Sequence, residues 1–154
     1  MTEITHPRGS YFEEFVLGAT HLSEERVITE ADIFAFSELT GDHNPLHLDA
    51  EFASKSVFGQ RIAQGLLGLS IASGLLTQLG FIDGTLLAFR ELTWKFNLPI
   101  FIGDVIKASA KVTDLRRLER LGGGAATFDV EVFNQRGERV QSGQWMVLVA
   151  SKPE

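Results

Sequence analysis

Hydrophobic and polar positions along the chain follow a helical period in the first half and a period of two in the second. Thr29 and Asp32 have capping-box spacing, and Ile33, Phe34, Phe36 and Leu39 follow at helical intervals as far as Gly41, which predicts a helix. Asp49 is placed to cap a second, short helix over residues 50–57, with Gly59 just beyond its end. Residues 62–79 are almost wholly apolar or small, interrupted by Gln64, Ser70, Ser73, Thr77 and Gln78. A membrane-spanning helix needs about 20 predominantly apolar residues. This run is shorter, carries those polar side chains and includes Gly65, Gly68 and Gly74. Its apolar residues lie on all sides of a helical wheel, which predicts a helix buried inside the protein.

Beyond that helix the period changes. Leu92, Trp94 and Phe96 alternate with Glu91, Thr93, Lys95 and Asn97, and Ile106, Ala108, Ala110 and Val112 alternate with polar or small neighbours. Phe128, Val130 and Val132 continue the alternation, and a run over residues 140–149 follows after turn chemistry at 134–138. No helices intervene between these strands, so the sheet is expected to be antiparallel and the class α+β. About four or five such strands would wrap the long apolar helix. Arg116, Arg117, Leu118, Glu119 and Arg120, followed by Gly122, Gly123 and Gly124, read as an exposed loop.

Composition narrows the function. At 154 residues, without repeats or linkers, the chain is expected to form one domain over 1–154. A net charge of -6 argues against a nucleic-acid backbone partner, which needs clustered Lys and Arg. With no cysteine, disulfides, thiolate metal sites and Cys nucleophiles are excluded. Residues 1–10 are polar and lack a signal-peptide core, so the expected setting is the cytoplasm, with no membrane partner.

Candidate chemistry gathers in Phe36 to His47, read residue by residue as Phe-Ser-Glu-Leu-Thr-Gly-Asp-His-Asn-Pro-Leu-His. Gly41 ends a helix, and proline at 45 is expected to bar a helix there and to push Asn44 into an extended conformation. Asp42 and His47 then stand on opposite arms of a tight loop. A carboxylate and an imidazole facing one water make an acid/base pair, because one can hold the water while the other takes its proton. Other readings stand beside it. Asp42 is also a common turn residue, and His47 also suits a satisfied core position. A metal held by His43, His47 and Asp42 or Asp49 would require the two histidines on a continuous helix, which Pro45 is expected to deny. A serine nucleophile lacks its Gly-x-Ser-x-Gly elbow.

The stretch resembles the signature of the MaoC-like, (R)-specific enoyl-CoA hydratase family: an aromatic residue, then a small residue before Gly-Asp-x-Asn-Pro-hydrophobic-His. Phe36, Thr40, Gly41, Asp42, Asn44, Pro45, Leu46 and His47 fill its positions. Residues 62–65 resemble the start of the family's central helix, and 99–104 (Pro-Ile-Phe-Ile-Gly-Asp) resemble the approach to its later strand. Gln64 stands where many relatives have His.

The resemblance implies a hot-dog fold, an antiparallel sheet wrapped around one long helix. It implies reversible addition of water to a trans-2-enoyl thioester carried by coenzyme A or an acyl carrier protein, with no cofactor and no metal. A homodimer joining two sheets edge to edge is implied, larger assemblies being possible. Asp42 and His47 would hold the catalytic water, with Asn44 an orienting donor beside them. Gly65 would offer its N–H to the thioester oxygen, where charge builds as the proton at C2 is lost or gained. Ser73 would support the site, although a hydroxyl bonded back to its own helix is an equal reading. Leu76, one turn on, is a candidate floor for the acyl pocket or a plain core residue. A hot-dog thioesterase is the first alternative, but such enzymes usually carry an acidic residue on the central helix, and none lies in residues 60–81. A non-catalytic hot-dog subunit is the second, although such chains typically lose the Asp and His present here.

Overall fold

The computed structural model describes residues 8–154, so the expectation that rested on the polar segment 1–10 falls largely outside the described residues. Short strands β1 (Thr20–Leu22) and β2 (Arg26–Val27) precede helices α1 (Glu30–Thr40), α2 (Pro45–Leu48), α3 (Ala50–Ser54) and α4 (Gly65–Thr77). Strands β3 (Leu86–Phe96), β4 (Val105–Leu118), β5 (Gly123–Phe133) and β6 (Arg139–Ala150) complete the chain. The sheet runs β1-β4-β5-β6-β3 with every pairing antiparallel, and β2 also pairs with β4. Helix α4 lies on its inner face. This is the hot-dog arrangement expected from the sequence.

Register explains why the helix sits there. Cross-strand partners Val112, Phe128, Trp145 and Leu92 form one inward rung, and Ala110, Val130, Gly143 and Trp94 form the next. The small residues Ala108 and Ala110 leave room for a helix, and Leu67, Ile71, Ala72, Leu75 and Leu76 of α4 fill it. Burying each Leu or Ile contributes about 1.5–3 kcal/mol. Trimming one of these residues would therefore loosen helix and sheet together.

Several expectations are corrected. Proline at 45 does not bar a helix. It opens α2 at the first helical position, where its missing N–H is not needed, while Asn44 takes the extended conformation expected of it (φ -60, ψ 130). The stretch read as an exposed loop at Arg116–Gly124 is mostly strand: β4 continues to Leu118, a single 3-10 turn spans Glu119–Leu121, and β5 begins at Gly123. Gly123 and Gly124 are buried because strand β6 and the Phe12 ring lie against their bare Cα atoms. Helix α4 is buried on one side only, since Leu66 is 59% exposed. Likewise Phe34 and Leu39 of α1 remain exposed, and only Ile33 and Ser37 are buried. Among the described residues no helix is long and apolar enough to cross a membrane.

Candidate active site

Helix α1 delivers the first candidate residue. Thr29 and Asp32 form the expected reciprocal capping box at its start, and Gly41 ends it in a left-handed conformation (φ 82) that glycine adopts without strain. The next residue is Asp42. Its N–H donates to Thr40 Oγ1 (3.2 Å), and its Oδ1 accepts the Asn44 main-chain N–H (3.2 Å). That leaves Oδ2 facing His47 Nε2 at 3.9 Å. The Asn44 side chain caps α2, its Oδ1 accepting the Leu46 N–H, while its main-chain N–H holds Asp42 Oδ1.

His47 is held from the other side. Its Nδ1 lies 2.8 Å from the Ile62 carbonyl oxygen, which can only accept. Nδ1 therefore carries the proton in the neutral ring, and the Nε2 lone pair is turned toward Asp42. The carboxylate is 44% exposed and the imidazole 12%. A separation of 3.9 Å is too long for a direct hydrogen bond, yet a water about 2.8 Å from each atom fits between them and can donate one proton to each.

His43 turns away from this pair. Its Nε2 is 3.1 Å from Glu38 Oε1 and its Nδ1 3.1 Å from the Gly41 carbonyl; these bonds, that to Glu38 foremost, hold its pKa above the ordinary histidine value. Among the described residues no three His, Asp or Glu side chains gather as a metal-binding group.

Ile62, whose carbonyl fixes His47, pairs in an isolated bridge with Phe101, and Ala63 N–H donates to the Ile100 carbonyl. The approach to β4 thereby holds the chain entering α4. Asp104, 5% exposed, closes that turn by accepting the Phe101 N–H and a Gln135 amide N–H. The N-terminus of α4 carries no side-chain cap, and the Gly65 and Leu66 N–H groups have no partner among the described residues. Gln64, at the capping position, is turned into the core, where its Nε2 donates to the Ile33 carbonyl and Ser37 Oγ. It ties α1 to α4.

Gly65 and Leu66 line an open cleft of about 480 Å³, walled by Phe58, Phe96, Leu98 and Ile100. A Cβ at Gly65 would sit 2.7 Å from the Phe96 ring, so glycine lets that ring lie over the helix start. Asp42 and His47 do not line this cleft; His47 reaches its rim through Ile62. Ser73 and Leu76 line a separate, smaller cavity of about 180 Å³ further along α4, with Phe81, Phe89, Phe128 and Trp145. Ser73 Oγ donates to the Ser70 carbonyl (2.7 Å), the helix-backbone bond foreseen as its alternative. His21 stacks on Phe81 at 4.2 Å, and burial lowers its pKa.

The aromatic walls escape a sequence reading because they come from separate strands and loops. One residue did leave a signal: Gln141 is polar on the β6 face otherwise formed by Gly143, Trp145, Val147 and Val149.

Comparison with known proteins agrees with this architecture. The MaoC like domain family matches residues 15–132. The 3-hydroxybutyryl-CoA dehydratase of Methylorubrum extorquens is 34% identical over 94% of this chain and 87% of its own length. The (R)-specific enoyl-CoA hydratase of Aeromonas caviae is 37% identical over 76% of this chain and 83% of its own length. A solved (R)-hydratase from Aeromonas caviae superimposes with a TM-score of 0.76 at 31% identity, covering 92% of this chain and 99% of that one. An Archaeoglobus structure described as a monoamine oxidase regulatory protein gives a TM-score of 0.90 at 39% identity, over 97% of this chain and all of its own. The chain belongs to the MaoC-like family, a hot-dog family of hydratases and dehydratases, which are hydro-lyases.

Proposed function

We propose that this chain is a single-domain (R)-specific enoyl-CoA hydratase/3-hydroxyacyl thioester dehydratase, in which Asp42 and His47 are the acid/base pair. The observation that carries this reading is the pair itself, 3.9 Å apart beside the uncapped start of α4. One water donates to Oδ2 and Nε2 and turns a lone pair toward C3 of the enoyl thioester. As the C3–O bond forms, the pair takes one water proton and electron density moves to the thioester oxygen. The Gly65 N–H and the positive end of the helix stabilise that charge. A proton then passes to C2, and dehydration is the reverse.

Ser73 and Leu76 belong to the acyl pocket in this reading, and Asn44 orients Asp42 through its main chain. The carrier is coenzyme A or an acyl carrier protein. A homodimer fits the edge strand β3, whose outer rail is unpaired among the described residues and whose Leu86, Leu87, Phe89, Leu92 and Phe96 are 40–55% exposed. An apolar edge of this kind is stable in water when a second copy covers it.

Product stereochemistry tests the proposal. Hydration of crotonyl-CoA should give the (R)-3-hydroxyacyl thioester, an expectation taken from the resemblance to (R)-specific hydratases, in which water is delivered to a fixed face of the double bond. Chiral chromatography returning the (S) product would refute it. Activation by proton transfer also implies that exhaustive chelation leaves the rate unchanged. Activity lost to a chelator and restored by zinc would put metal chemistry in place of the Asp42–His47 pair.

A further inference from the structure

Gln141 is 2% exposed on the inner face of β6, in register with Gly143, Trp145 and Val147, yet the chemistry above gives it no part. A buried amide is costly unless its donors and acceptor find partners. Its Oε1 accepts the Trp94 indole N–H at 3.0 Å, and its Nε2 donates to the Gly65 carbonyl oxygen at 3.1 Å. An indole N–H can only donate and a carbonyl only accept, so the orientation of the amide is fixed by its partners. Gly68 makes the approach possible, since a Cβ there would lie 2.5 Å from Gln141 Nε2.

The direction of these bonds is the informative feature. The Gly65 carbonyl shares a peptide plane with the Leu66 N–H, one of the two unpartnered donors at the start of α4. Within the helix that carbonyl is already the acceptor for the Leu69 N–H. The Gln141 amide is therefore a second donor to the same oxygen. Each bond to a peptide oxygen draws electron density from the nitrogen and strengthens its N–H as a donor. Indole, amide and peptide thus form one chain of donors, all pointing toward the cleft.

We propose that Trp94 and Gln141 are positioning residues that polarise and fix the Gly65–Leu66 peptide, so that the Leu66 N–H acts with that of Gly65 on the thioester oxygen. This rests on the hydratase reading of the site. Gln141 reaches the cleft wall, but both ends of its amide are engaged by Trp94 and Gly65, so removal of either side chain should act on turnover more than on binding. Gln141→Leu deletes both bonds with little change in volume; Trp94→Phe deletes only the first and keeps a ring in place. Loss of a buried hydrogen bond of ordinary strength corresponds to roughly three- to tenfold. Each variant should lower kcat by that factor, with KM within about twofold of the parent.

A spectroscopic readout separates polarisation from plain packing. In an Asp42→Asn background, which retains substrate without turning it over, bound 2,4-hexadienoyl-CoA should absorb at longer wavelength than in water, because its carbonyl is polarised. Adding Gln141→Leu or Trp94→Phe should diminish that red shift. An unchanged shift in the folded variants, with only a lowered melting temperature, would overturn the relay and leave the two residues as core. Should Gln141→Leu fail to fold, Trp94→Phe decides alone. Bound dienoyl-CoA without any red shift in the Asp42→Asn parent would instead count against the placement of the thioester oxygen at the helix start.

Discussion

Asp42→Asn and His47→Gln are each expected to lower turnover by about a hundred- to ten-thousand-fold, the usual contribution of a general acid or base, without loss of fold. The expectation of an intact fold follows from the local bonds. Asparagine still offers Oδ1 to the Asn44 N–H, so the loop after Gly41 keeps its anchor. Glutamine at 47 still offers an N–H to the Ile62 carbonyl, the contact that holds the imidazole. What each variant loses is a site for the water proton. Initial rates of enoyl loss, with thermal melts alongside, check both halves. Near wild-type hydration by either variant would remove that residue from the chemistry.

Leu76→Ala is expected to change which substrates are used. Leu76 is 2% exposed and belongs to the core, but it also lines the cavity of about 180 Å³ with Ser73, Phe81 and Trp145. Truncation should cost about 2–5 kcal/mol of stability, as for any core leucine. The added space should also accept a longer acyl tail. Each newly buried methylene is worth about 0.8 kcal/mol, or roughly fourfold, so a few of them raise the ratio of octenoyl-CoA to crotonyl-CoA activity by tenfold or more. Rates across a chain-length series, each corrected for the folded fraction, measure that ratio. A uniform fall across the series would make Leu76 a core residue with no part in selecting substrate.

What could be read from the sequence was local. The capping box at Thr29 and Asp32, the Asp49 cap and the body of α4 follow from neighbours within one or two turns, and all three are present. The Asp-x-Asn-Pro-x-His stretch was legible because its residue types are chemically distinctive and close in the chain. Proline at 45 misled because the same ring that ends a helix also suits its first position. Arginines and glycines at 116–124 suggested a loop, but Arg116 and Arg117 pair with β5, and Gly123 and Gly124 pair with both β4 and β6, with the Phe12 ring against Gly124. Strands β1 and β2 are too short to show alternation and exist because β4 offers them an edge. Exposure of Leu66 and of β3 could not be seen from periodicity, which reports an apolar face without saying what covers it. The two cavities were out of reach for a similar reason, since their walls converge from α4 and distant strands.

Incubation with crotonyl-CoA, following enoyl absorbance and free thiol as separate signals, tests the central claim most directly. Hydration by the Asp42–His47 pair predicts that the enoyl signal decays to an equilibrium value while no thiol appears, and that Asp42→Asn slows the decay by about a hundredfold or more. Thiol release matching the loss of substrate would contradict the account in favour of hydrolysis, and two unchanging signals would contradict it in favour of a subunit without catalysis.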